Sequence, residues 1–271
     1  MILDLVSPWL AAVEASDSTR ARSAFRNRHA TLLEAIRLAR APAFDVLRLA
    51  TDPDQLHILA RRAADPATQQ LLRTTLSRAV EFGADRCSRV VLLAGDGGGD
   101  CTEPLPRSGD TVALFIEQIE NDQELVVSLA RAVGALTRWA ALDGSARTGR
   151  NRWEAAPSVA LREWIYTEGV ALHLAVALLP DVAPHRLLGV NHTAFNRMRE
   201  REKVFRALLD ADLDERGIGL MLRWLTPGAP IGPRTIGNVV LPPMVGRYLA
   251  WRMTAERVER IGLREALRAE A

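Results

Sequence analysis

The sequence predicts an α+β chain in which helices dominate. Apolar residues recur at spacings of three and four along most of its length, the period of helices with one buried face. Only two stretches, 87–95 ("CSRVVLLAG") and 110–119 ("DTVALFIEQI"), have the texture of strands. Helices come first, a small strand pair follows, and helices close the chain, an order that fits α+β.

Size and composition suit this class. With 271 residues, 48% hydrophobic and 25% charged, the chain can bury a sizeable core. Its formal charge of +2 is the balance of 35 basic and 33 acidic residues. They are too interspersed for a nucleic-acid footprint. Lysine occurs once, at Lys203, and the arginine and alanine excess reads as the usage of a GC-rich bacterial genome.

The opening "MILDLVSPWLAAVEASD" is interrupted by Asp4 and Glu14 and has no basic segment before it. It therefore reads as an amphipathic first helix, not a signal peptide. Residues 1–84 continue as a helical N-terminal region. Asp52 before Pro53 and Asp65 before Pro66 each mark a helix start. The two strands follow, joined by a loop containing "GDGGGD". That loop lacks the Gly-Lys-Ser/Thr ending of a phosphate-binding loop. Cys87 and Cys101 have no Cys or His cluster around them, so neither a disulfide framework nor a zinc knuckle is expected. The expected setting is a reducing cytoplasm.

Residues 123–141, including "LVVSLARAVGALTRW", predict a long buried helix. A polar connector, "DGSARTGRNRWEAAP", leads to a second helix over 161–179, which Pro180 ends. Its apolar stretch 169–180 is shorter than the about 20 residues needed to cross a bilayer. "HTAFNRMREREKVFRALLDADL" predicts one charged helix, "TPGAPIGPRTIGNVVLPP" a long loop, and "MVGRYLAWRMTAERVERIGLREALRAEA" a final helix.

This order of strand, Gly-rich loop, strand, long helix, helix with "TEGVAL" and terminal "VGRYLAWR" resembles the DUF2268-type zinc-dependent protease family, which is gluzincin-like. The resemblance covers about residues 85–268. It implies a zincin-like core and divides the chain into 1–84 and a degenerate metallopeptidase-like region, 85–271, packed as one unit. In that family the first long helix supplies H-E-x-x-H, whose two histidines and general base act around zinc, and the Glu-Gly helix supplies a third ligand. Transferred to this chain, the first histidine falls on Ala130, the base on Arg131, the second histidine on Gly134 and the third ligand on Glu168. Gly246, Tyr248 and Arg252 fall on the terminal motif. Three of the four metal-site groups are missing.

The remaining residues do not rebuild a metal site. His173 lies about 500° round the helix from Glu168, and His29, His57, His185 and His192 share no ligand spacing. No catalytic residue, metal or cofactor is therefore expected. The former cleft is expected to hold Ala130, Arg131, Gly134, Tyr166, Glu168, Tyr248 and Arg252. Three readings follow: a pseudoenzyme that binds an unknown small molecule or protein, a metal-independent enzyme that has reused the cleft, or a structural helical protein whose likeness to the family is only architectural. A deep cleft holding Arg131, Glu168 and a tyrosine would favour the enzyme, and a cleft filled by side chains the pseudoenzyme. Neither nucleic acid nor membrane is an expected partner. Within the cleft, Arg131 either pairs with Glu168, its guanidinium in place of the metal, or turns to solvent and leaves Glu168 to a backbone group or a tyrosine.

Overall fold

The computed structural model describes residues 1–40, 47–95, 102–105, 110–141, 152–226 and 235–271. Cys101, the glycines 97–99 of "GDGGGD", residues 143–151 of the 143–157 connector and the Gly/Pro-rich 227–234 stretch lie outside the described residues.

The chain opens with a strand, not a helix. β1 (Ile2–Asp4) leads at once into α1 (Val6–Glu14). Asp4 makes this sharp junction: its carboxylate accepts from the Val6 and Ser7 amides at 2.7 and 3.2 Å, satisfying donors that a helix start leaves open. Helices α2 (Ser18–Arg28), α3 (Ala30–Ala39), α4 (Pro53–Ala64) and α5 (Pro66–Glu81) follow. The two Asp-Pro starts behave as read: Asp52 accepts from the Asp54 amide and Asp65 from the Thr68 amide.

The expected strand pair is part of a four-stranded sheet. β2 (Arg89–Leu93), β3 (Thr102–Leu105) and β4 (Thr111–Phe115) join β1 in the order β1-β2-β4-β3. β2 and β4 are neighbours, as expected of the two apolar runs, but they are parallel, with Val90 opposite Val112. The chain therefore crosses over between them, and β3 pairs antiparallel on the far edge of β4. Both central strands are covered on each face, which explains why they read as continuous apolar runs without alternation.

A 3-10 turn (Ile116–Gln118) leads into α6 (Asp122–Ala141). Next come α7 (Arg152–Ala155), α8 (Leu161–Leu178), α9 (Pro184–Leu187), α10 (His192–Glu200), α11 (Glu202–Asp210) and α12 (Ile218–Leu225). A short hairpin, β5 (Thr235–Ile236) with β6 (Val239–Val240), precedes α13 (Val245–Ile261) and α14 (Leu263–Ala266). The single helix expected over 192–213 is divided at Arg201, and the terminal one at Gly262, whose φ of 81° no helix accommodates. Part of the expected 226–243 loop is this hairpin, turned by Gly237 at φ 56°.

The architecture is α+β and mostly helical. α6 packs against β3 and β4 on one side and against α8 on the other, and α8 packs in turn against α13. The N-terminal 84 residues share this core. β1 is a strand of the sheet, the Trp153 indole N–H donates to the Ala39 carbonyl at 2.8 Å, and Arg78 donates to the Leu178 carbonyl at 3.0 Å. No helix among the described residues is long and apolar enough to cross a membrane.

Candidate functional site

α6 and α8 cross at small residues. A Cβ added at Gly134 would lie 2.9 Å from the Ala171 Cα, so the two helices touch there with no space for a side chain. Ala130, one turn earlier on the same side of α6, is wholly buried. The two positions to which the resemblance assigns histidines thus lie on the helix-contact side, and neither lines either of the two cavities that flank Arg131. Because Gly134 is in backbone contact with α8, a histidine could enter there only if the helices moved apart.

Arg131, on a different face of α6, is where the polar chemistry sits. Its Nη1 donates to Glu168 Oε1 at 3.1 Å, and its Nη2 donates to Thr102 Oγ1 on β3 at 2.9 Å. Glu168 Oε1 also faces Arg247 Nε of α13 at 3.0 Å. These are buried charges: Arg131, Glu168 and Arg247 are 7%, 8% and 5% exposed. Of the two arrangements expected for Arg131, the paired one is present, with a second guanidinium added. Such a cluster is costly to desolvate and is held by its mutual attraction and hydrogen bonds, so it is sensitive to loss of any one member.

Two close helix contacts bring the three groups together. A Cβ at Gly169 would fall 2.3 Å from the Ala250 carbonyl, so the absence of a side chain lets α13 lie against α8 just beside Glu168. A Cβ at Gly246 would fall 2.0 Å from the Trp224 carbonyl, so α13 can begin against α12 with Arg247 directed inward. The glycines of "TEGVAL" and "VGRYLAWR" therefore have a shared packing role.

The other expected cleft residues lie elsewhere. Tyr166 is between two guanidiniums, with Arg138 4.1 Å and Arg257 4.7 Å from its ring centre. It sits two residues before Glu168 and so on another face of α8. Tyr248 donates to the Glu202 carboxylate of α11, and Arg252 Nε is 3.5 Å from the same carboxylate. Burial, followed by the Glu202 contact, pushes the Tyr248 hydroxyl well above its ordinary range. Of the seven residues, only Arg131 and Glu168 come together as a polar site. Sequence reasoning missed Arg247 and Thr102. Arg247 had a signal, since it stands between the Gly246 and Tyr248 already singled out. Thr102 had none, because its strand was not foreseen.

Space opens on both sides of Arg131. Toward α9 and the start of α10 is a cleft of ≈ 530 Å³, lined by Ser128, Arg131, Arg186, Asn191 and Arg247 among others. Toward α12 is a smaller chamber of ≈ 60 Å³, whose lining includes Thr102, Arg131, Trp139, Arg152, Trp164, Thr167 and Glu168, with Met221 and Leu225 as apolar cover. The Trp139 and Trp164 rings stack with centres 4.8 Å apart.

Among the described residues no three His, Cys, Asp or Glu side chains stand together so as to hold a metal ion. Cys87 is a free thiol that burial pushes up to about 11, which makes it a poor nucleophile. His173, on α8, has its Nε2 3.0 Å from the Trp251 carbonyl, and its pKa is lowered from 6.5, chiefly by burial. A histidine held neutral in the fold binds fewer protons than in the unfolded chain below its ordinary pKa. Stability is thus full above pH 6.5 and falls as pH drops below it. Denaturant melts across pH 8 to 5 are expected to show this loss in the native protein and a smaller loss in His173→Gln; equal losses would remove His173 as the cause.

No profile of a known protein family, no curated protein and no solved structure matches this chain.

Proposed function

We propose that this chain is a degenerate metallopeptidase-like protein that no longer hydrolyses peptides and uses the cleft beside Arg131 to bind a small molecule or a protein segment. One observation carries the reading: Glu168, the carboxylate that the motif resemblance assigns as a metal ligand, already accepts from Arg131 and faces Arg247. The α6 residues that line the cleft, Glu124, Val127, Ser128 and Arg131, include no imidazole, and among the described residues no three His, Cys, Asp or Glu side chains stand together so as to hold a cation. Neither Tyr166 nor Tyr248 lines the cleft or the chamber, so the tyrosine that would favour a repurposed enzyme is absent from both linings.

The test combines turnover with binding. Fluorogenic peptide substrates are expected to survive incubation with the purified protein, with or without added zinc. A small-molecule screen is expected to find compounds that raise Tm, because a ligand of the folded state alone stabilises it. Arg186→Ala, at an exposed position on the cleft, should leave the unliganded Tm unchanged and reduce that rise. Peptide cleavage that copurifies with the chain and disappears in Glu168→Gln would overturn the proposal in favour of an enzyme.

A further inference from the structure

The chamber between α6, α8, α12 and β3 carries two features that the ion cluster does not explain. Trp164 Nε1 and Thr167 Oγ1 are buried without a hydrogen-bond partner among the described residues. Both residues line the chamber and are only 6% and 7% exposed. Folded proteins rarely leave such atoms unpaired, and the exceptions call for an occupant or a role. Trp164, Thr167 and Glu168 lie at i, i+3 and i+4, so one face of α8 turns all three toward the same space. Arg131, Ala135 and Trp139 line the opposite wall at spacings of four along α6.

The chemistry of this wall narrows the occupant. An indole N–H only donates, so it calls for an acceptor; a threonine hydroxyl can donate or accept. The Glu168 carboxylate on the same wall accepts and would repel an anion; of the guanidiniums on the lining, Arg131 is engaged with Glu168 and Thr102, and Arg152 lies over the Trp153 ring, 4.7 Å from its centre. A group that offers a carbonyl and an N–H together fits this set. The volume of ≈ 60 Å³ is well below the about 150 Å³ of a cavity that takes benzene, which leaves space for a compact ligand of about four or five non-hydrogen atoms.

We propose that this chamber is a binding site for a small neutral amide, either as a free molecule or as the end of a longer one passing Arg131 from the cleft. The amide carbonyl accepts from Trp164 Nε1, its N–H faces Thr167 and Glu168, and its apolar end lies against Trp139, Met221 and Leu225. The site refines the binding role proposed above and rests on it.

Acetamide is the probe, with acetone lacking the N–H and acetate replacing it by charge. In ¹⁵N spectra of the whole chain, the Trp164 indole resonance is assigned by its loss in Trp164→Phe. Acetamide is expected to shift that resonance saturably, with a dissociation constant on the order of millimolar for a ligand this small. Acetone and acetate should each bind more weakly. Thr167→Val keeps the side-chain shape, and affinity in it should fall about tenfold through loss of one hydrogen bond. Should that variant not fold, Trp164→Phe reports the same loss through acetamide's own relaxation. An indole resonance indifferent to all three probes would mean that water alone fills the chamber and would overturn the site. Acetate binding as tightly as acetamide would overturn the ligand class. Either failure, in a protein that cleaves no peptide and is still stabilised by cleft ligands, leaves the parent reading standing; peptide cleavage would remove the parent reading and leave the chamber result intact.

Discussion

Glu168→Ala lowers the free energy of unfolding by about 3–5 kcal/mol, the cost of leaving buried charge without its partner. The substitution removes a carboxylate that faces both Arg131 and Arg247, each at most 7% exposed. The two guanidiniums, nearly closed off from solvent, are then left without the Glu168 carboxylate between them. Arg131→Met has a smaller effect, about 2 kcal/mol, because Glu168 keeps Arg247 and the methionine stem fills much of the vacated volume. The double variant Arg131→Met with Glu168→Gln is therefore expected to lose less than the sum of its two singles, a coupling that urea melts measure directly. Additive losses would show that the two side chains, though 3.1 Å apart, are not energetically coupled.

Gly169→Ala lowers stability by about 3 kcal/mol, although alanine is the better helix former by about 1 kcal/mol. The added methyl would lie 2.3 Å from the Ala250 carbonyl and 2.5 Å from Thr254 Oγ1. The nearer atom is backbone of α13 and cannot swing away, so α8 and α13 must separate. That separation also moves Arg247 away from Glu168, so the loss is larger than a surface clash would give. Thermal or urea unfolding of the purified variant checks the value; a stability equal to or above the native one would show that the helices slide apart freely and that the glycine has no packing role.

The helices were legible in the sequence because each of the long ones buries a face in a layered core. The 123–141 and 161–179 stretches correspond to α6 and α8 within a residue or two. The Arg131–Glu168 pair was legible too, from charge and from motif order. What the sequence concealed depends on tertiary context. Ile2–Asp4 is too short to show a strand period and is a strand only because β2 offers it an edge. The parallel relation of β2 and β4 depends on where the chain between them goes, which no local pattern specifies. Tyr166 reads as a cleft residue by its nearness to Glu168 and Tyr248 by the terminal motif, yet one or two positions along a helix turn a side chain to another face, where Arg138 and Arg257 hold the first and Glu202 the second. The placement of Ala130 and Gly134 against α8 also follows from which side of α6 meets its neighbour, and the apolar period alone could not distinguish the side facing α8 from the side facing the sheet.

The central claim is that two guanidiniums occupy Glu168 where a zinc peptidase would place its metal. Zinc analysis of the purified chain, after equilibration with excess zinc and removal of the unbound ion, tests it most directly. The account predicts no stoichiometric zinc in the native protein and none in Glu168→Gln. One zinc per chain, bound at about 2.0–2.2 Å from Glu168 and lost in Glu168→Gln, would contradict it.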